Sequence, residues 1–183
     1  EVQVVDDGHG IASAEVEATF GRIGGSWKKL AAKSKNDKRS LHGQLGEGRL
    51  RSLALGQRVT WTSHSTGVTG GLEQVTISGS RSKRDRFTWV VCPAPAGVRK
   101  TGTIFVAHND RQLSLSALDA KEVVAKLRAH FAPILLNDDK LTITYDGSTL
   151  DPKEEIAHDT TTPVTFGEHD EHTASVRIIE WRS

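Results

Sequence analysis

Between Arg58 and Ala107 the chain offers a succession of strand-like segments. Arg58 to Ser63, Leu72 to Ser78, Phe87 to Cys92 and Thr103 to Ala107 are rich in Val, Ile, Thr, Trp and Phe, residues that suit a pleated, half-buried surface. Turn-forming residues separate them: Ser65-Thr66-Gly67, Gly79-Ser80 and Pro93 to Gly97. Short connections of this kind join antiparallel neighbours. The middle of the chain therefore reads as a meander-like, mostly antiparallel sheet.

Helices and further strands are expected on either side. Val2 to Val5 reads as a buried strand running into Asp6-Asp7-Gly8-His9-Gly10. A short helix follows, with Ser13 as N-cap, Glu15 and Glu17 in its first turn, Val16 and Phe20 on one face, and Gly21 closing it. Residues 22–42 are rich in Gly, Lys and Ser with weak periodicity; a loop of that length inside a compact domain is usually functional or disordered. Gly43-Gln44-Leu45-Gly46-Glu47-Gly48 then opens onto a short helix, Arg49 to Gly56, with Leu50, Leu53 and Ala54 inward. Beyond the sheet, Ser116 to Phe131 has an apolar stripe of Ala120, Val123, Val124, Leu127 and Phe131. Ser116 and Asp119 resemble a capping box, and Pro133 marks the helix end. Leu141, Ile143 and Tyr145 alternate in a strand that Asp146-Gly147 terminates, and Thr173 to Trp181 is a last strand. This order predicts an α+β fold and not a regular βαβ alternation.

Composition narrows the class. With 183 residues, 36% apolar and 26% charged, the chain suits a soluble globular protein of one domain, or one domain plus part of a second. No run approaches 18 consecutive apolar residues, so no membrane span is expected. The N-terminus has neither the basic nor the apolar region of a signal peptide. The single cysteine, Cys92, excludes an intrachain disulfide and a cysteine-based zinc site. It fits a reducing compartment, most simply the cytoplasm, and its apolar strand suggests a buried core thiol. Methionine is absent even at position 1, which suggests a piece of a longer protein.

Net charge is +1 and names no partner, but its distribution is uneven. Residues 28–58 carry nine Lys/Arg against Asp37 and Glu47, a balance of +7, whereas residues 113–183 carry seven against thirteen Asp/Glu, a balance of −6. The basic stretch suits a polyphosphate or a nucleic acid, or is a solvated loop. Arg81-Ser82-Lys83-Arg84-Asp85-Arg86 reads as a solvated hairpin tip. Glu168-His169-Asp170-Glu171-His172 has the residue types of a metal cluster, but no helix presents them on one face, and the segment reads as a polar hairpin turn between strands. We therefore assign no metal ligand.

Three short patterns carry chemistry. In Asp6-Asp7-Gly8-His9-Gly10 a strand-end carboxylate precedes spaced glycines. The glycines let a flat ligand approach the backbone, and the carboxylate can accept from an exocyclic amine. Gly43-x-x-Gly46-x-Gly48 exposes backbone N–H groups at a helix start, a suitable phosphate cradle. It lacks the Gly-Lys-Ser/Thr of a P-loop and the third glycine of the dinucleotide fingerprint. Gly102-Thr103 opens an apolar strand with a hydroxyl able to bond a base or a water.

In this order the patterns resemble the GHKL superfamily of ATP-binding domains, which includes the ATP-binding part of DNA gyrase, the ninety-kilodalton heat-shock chaperones, sensor histidine kinases and MutL. Ile23-Gly24-Gly25-Ser26-Trp27-Lys28, Gly43 to Gly48 and Ser52 look most like the chaperone and MORC-like branch, and like bacterial ATP-binding proteins. The resemblance implies a Bergerat-type two-layer α/β sandwich: a mixed, mostly antiparallel sheet with helices on one face. Residues 1–112 would be the ATP-binding domain, and 113–183 an extension beginning a second, transducer-like domain. It implies that Asp6 binds the adenine amino group, that Gly8 and Gly10 form the turn beneath the base, and that Lys28 approaches the phosphates from a lid. Gly43, Gly46 and Gly48 would contact phosphate, and Thr103 would support Asp6, often through water. ATP and Mg2+ are the implied ligands, with dimer closure on binding and an unidentified client protein or nucleic acid. In the family the general-base Glu and the Mg2+-binding Asn lie on a helix before the Asp motif, a segment that residues 1–183 are expected not to include. Catalytic residues are therefore not assigned, ATP hydrolysis is expected of the parent protein, and residues 1–183 are expected to be inactive or nearly so. Two rival readings are the catalytic domain of a sensor histidine kinase and a non-catalytic nucleic-acid-binding module.

Overall fold

The computed structural model describes residues 1–21, 48–109, 118, 121–167 and 172–182. The chain divides into two compact units, Glu1–Leu113 and Ser114–Ser183.

The first unit is built on one sheet. Its strands are β1 (Val2–Asp6), β2 (Arg58–Thr66), β3 (Leu72–Ser80), β4 (Lys83–Pro93) and β5 (Gly102–His108), in the spatial order β1-β5-β2-β3-β4. Every described pairing is antiparallel, so the parallel component expected of a mixed sheet is not found among the described residues. Strands alternate their side chains between faces, and the register turns this alternation into transverse rows. Val2, Ala107, Val59, Gly79 and Phe87 form one row, and Val4, Phe105, Trp61, Ile77 and Trp89 the next. The third row is Asp6, Thr103, Ser63, Val75 and Val91.

Helix α1 (Ser13–Phe20) packs on this face through buried Val16 and Phe20. The Phe20 ring meets Trp61 edge-on at 5.1 Å and Phe87 at 5.5 Å, and Trp61 lies 5.0 Å from Phe105. Packing these rings together joins the helix to the apolar core that Val16, Val59, Val75 and Ile77 complete. Helix α2 (Gly48–Arg51) and the 3-10 turn Ser52–Ala54 add buried Leu53 and half-buried Leu50 to the same core. The result is the α+β, helix-on-sheet sandwich expected from the sequence.

Several local expectations are corrected. Ser13 is the first helical residue, and Ala12 is the N-cap without a side-chain hydrogen bond. Ala54 is exposed, while Arg49 and Ser52 are buried, because one α turn followed by a 3-10 turn does not keep the 3.6-residue period. Cys92 is exposed. It lies opposite Gln74, one residue out of phase with Phe87, Trp89 and Val91, so it falls on the outer face of an edge strand. Val4 and Val5 are 53% and 64% exposed, since β1 is the other edge.

The second unit contains α3 (Lys121–Leu135), the strand pair β6 (Thr144–Tyr145) and β7 (Ser148–Thr149), and the hairpin β8 (Ile156–Phe166) and β9 (His172–Trp181). Ser116, Asp119 and Ala120 lie outside the described residues. The helix continues through Pro133. A proline in a last turn removes a single backbone donor, and the turn still closes through Leu136 N–H to Ala132 O. Arg128 pairs with Glu154 and Glu155. In the hairpin, a hydrogen bond from Arg177 holds the Asp159 carboxyl below its ordinary range. No described helix is long and apolar enough to cross a membrane.

Candidate functional site

The third row is where the core face turns polar. Asp6 ends β1 directly opposite Thr103 of β5, and Thr103 lies opposite Ser63 of β2. Thr103 and Ser63 are buried, whereas Asp6 is exposed. The chain turns sharply after Asp6. The Asp6 Oδ1 accepts from the Gly8 N–H at 2.9 Å, a local turn in which a carboxylate replaces a backbone acceptor. The second carboxylate oxygen has no partner among the described residues.

Gly10 has a φ of +73°, and a Cβ there would lie 2.1 Å from the His64 carbonyl oxygen. Gly102 is equally confined, with its Cβ position 2.3 Å from the Asp6 carbonyl oxygen. Both glycines allow a backbone crossing that a side chain would block. The loop is then tied to the sheet. Ile11 N–H donates to Ser63 Oγ at 2.7 Å, and Ser63 Oγ lies 3.1 Å from Thr103 Oγ1 and 3.3 Å from Gly102 O. Ser13 donates its N–H and hydroxyl to the two carboxylate oxygens of Glu73, at 2.7 and 2.9 Å.

The corner can therefore present one carboxylate oxygen and one hydroxyl side by side, above a loop free of side chains at Gly8 and Gly10. That arrangement suits the hydrogen-bonding edge of a flat heterocycle carrying an amine. Ser63 and Glu73 were not singled out from the sequence. Their signal was present in part: Val59, Trp61, Ser63 and Ser65 share one parity, which places two serines on the buried face of an otherwise apolar strand.

Of the residues selected from sequence, the structure brings together Asp6, Gly8, Gly10 and Thr103. Gly48 begins α2 with open space around its Cβ position among the described residues, on the same sheet face as α1. Lys28, Gly43 and Gly46 lie outside the described residues, as does Trp27. Next to Gly48, Arg49 is buried, and burial pushes its guanidinium below the ordinary value. Among the described residues no three His, Cys, Asp or Glu side chains group as a metal site.

No curated protein matches this chain. A family model described as histidine kinase-, DNA gyrase B-, and HSP90-like ATPase matches residues 1–98 of the 183. That span holds the Asp6 turn, helices α1 and α2 and strands β1 to β4. The chain belongs to this ATPase family, within the GHKL superfamily.

Proposed function

We propose that residues 1–112 bind ATP, with adenine at the Asp6–Thr103 corner and the polyphosphate at the glycine-rich approach to α2. The observation that carries this reading is the register of Asp6 opposite Thr103 beside the Gly8–Gly10 turn. A carboxylate only accepts hydrogen bonds. It pairs with the exocyclic amine of adenine and repels the carbonyl that guanine carries at the same position. Thr103 completes the contact, directly or through a water.

Gly43, Gly46 and Gly48 would supply backbone donors to phosphate, and Lys28 would add charge. Mg2+ would enter with the polyphosphate and neutralise part of its charge, since the described residues do not form a metal cage of their own. Hydrolysis requires a base and a placed water. We assign it to a chain that also carries the family's Glu and Asn, so the activity proposed for residues 1–183 is binding. Assignment to the chaperone and MORC-like branch, bacterial origin, dimer closure on nucleotide, a transducer-like role for residues 113–183 and a cytoplasmic location belong to the same proposal.

Titration of the chain with labelled ATP and Mg2+ tests it. Asp6→Asn is expected to weaken binding roughly 10- to 100-fold, the weight of a hydrogen bond to a charged group, and to leave the melting temperature nearly unchanged because Asp6 is exposed. Absence of binding by the unaltered chain, or equal affinity in the variant, would contradict the proposal.

A further inference from the structure

The loop between β1 and α1 has no strand partner of its own, yet it must hold Gly8 N–H against Asp6. Its attachments are side chains reaching up from the sheet. One is Ser63, at Ile11 N–H. Another is Glu73 of β3, whose carboxylate receives both Ser13 N–H and Ser13 Oγ and lies 3.4 Å from Ser65 Oγ. Ser65 also donates to Ile11 O at 3.3 Å, so Ile11 is held at both its N–H and its carbonyl.

Glu73 supplements the helix start, where Ala12 gives no side-chain cap hydrogen bond: one of the orphan donors there, the Ser13 N–H, is satisfied by a carboxylate 60 residues away in sequence. The negative charge also faces the positive end of α1. The middle and the C-terminal end of the helix are anchored separately, by Val16 and Phe20 in the core. The two anchors therefore have different duties. The apolar one holds the helix on the sheet, and Glu73 fixes where its first turn, and the Gly8–Ala12 loop leading into it, comes to rest.

We infer that Glu73 is a positioning residue for base recognition: it touches no nucleotide, and it sets the loop that orients Asp6. This inference rests on the adenine-binding reading above. It predicts a loss specific to the base. A ligand without a base, gripped only at the glycine-rich loop, should not sense Glu73.

The test uses the whole chain and its Glu73→Ala and Glu73→Gln variants. Three quantities are measured: ATP–Mg2+ affinity, inorganic tripolyphosphate affinity by direct titration, and amide hydrogen exchange at Ile11 and Ser13. Glu73→Ala is expected to weaken ATP binding about tenfold, to leave tripolyphosphate affinity within about twofold, and to speed exchange at both amides. Glu73→Gln retains an acceptor for Ser13 and is expected to recover ATP affinity to within about threefold of the original. Unchanged ATP affinity in Glu73→Ala would overturn the inference. So would a parallel loss of ATP and tripolyphosphate binding with a fall in melting temperature, which is the signature of a purely structural contact. If the unaltered chain binds no ATP, the nucleotide reading fails. The loop anchor is then judged by exchange alone, and unaltered protection at Ser13 in Glu73→Ala would overturn it as well.

Discussion

Gly10→Ala is expected to destabilise the first unit by about 3 kcal/mol or more and to abolish measurable ATP binding. Two costs combine at this position. The backbone is left-handed, with φ at +73°, which costs a residue with a Cβ roughly 1–3 kcal/mol. The added carbon would also sit 2.1 Å from the His64 carbonyl oxygen. That oxygen belongs to β2, which is paired on both sides by β3 and β5, so it cannot retreat without breaking the sheet. The loop must lift instead. Lifting it withdraws Ile11 N–H from Ser63 and Ser13 from Glu73, and with them the turn that holds Asp6. Urea unfolding with an unchanged slope and a lower midpoint would report the stability loss. Wild-type midpoint and affinity in Gly10→Ala would show that the loop does not cross the sheet as described.

Phe20→Ala is expected to cost about 3–5 kcal/mol, the usual range for emptying a buried aromatic site. Phe20 is the last residue of α1 and the ring through which that helix meets Trp61 and Phe87. Its loss removes two edge-to-face pairs, each worth about 0.5–1.5 kcal/mol beyond simple burial. It also leaves a cavity bounded by sheet residues that cannot close over it. Domains of this size are stable by roughly 5–15 kcal/mol, so the variant should unfold at a markedly lower urea concentration. Phe20→Leu fills more of the space and should lose less. A loss below about 1 kcal/mol in Phe20→Ala would mean that α1 is not held by this cluster.

These two positions also mark what could be read from residues alone. The strands β2 to β5 were legible because each combines β-forming residues with an adjacent turn, and Val16 and Phe20 because they are four apart on one helical face. The Asp-x-Gly-x-Gly turn and Gly102-Thr103 were legible as local patterns, and the register then placed them opposite one another. What escaped depends on partners distant in sequence. Ser13 looks like an N-cap until Glu73 arrives from β3. Cys92, Val4 and Val5 look like core until their strands become edges. The parity of Ser63 with Val59 and Trp61 marks it as inward-facing, but its role comes from Ile11 and Thr103 meeting at its hydroxyl. Strand β8 could be given no bounds from residues alone, because its Thr-rich, exposed sequence has no apolar alternation, and pairing with β9 sets them.

The central claim is that the carboxylate at the end of β1 reads the amine of adenine. A crystal structure of the chain with a non-hydrolysable ATP analogue and Mg2+ tests it most directly. The account predicts the exocyclic nitrogen within about 2.7–3.2 Å of an Asp6 carboxylate oxygen, with the ring plane over Gly8 and Gly10 and its edge toward Thr103. A base bound elsewhere, or an Asp6 carboxylate facing solvent with the nucleotide in place, would contradict it.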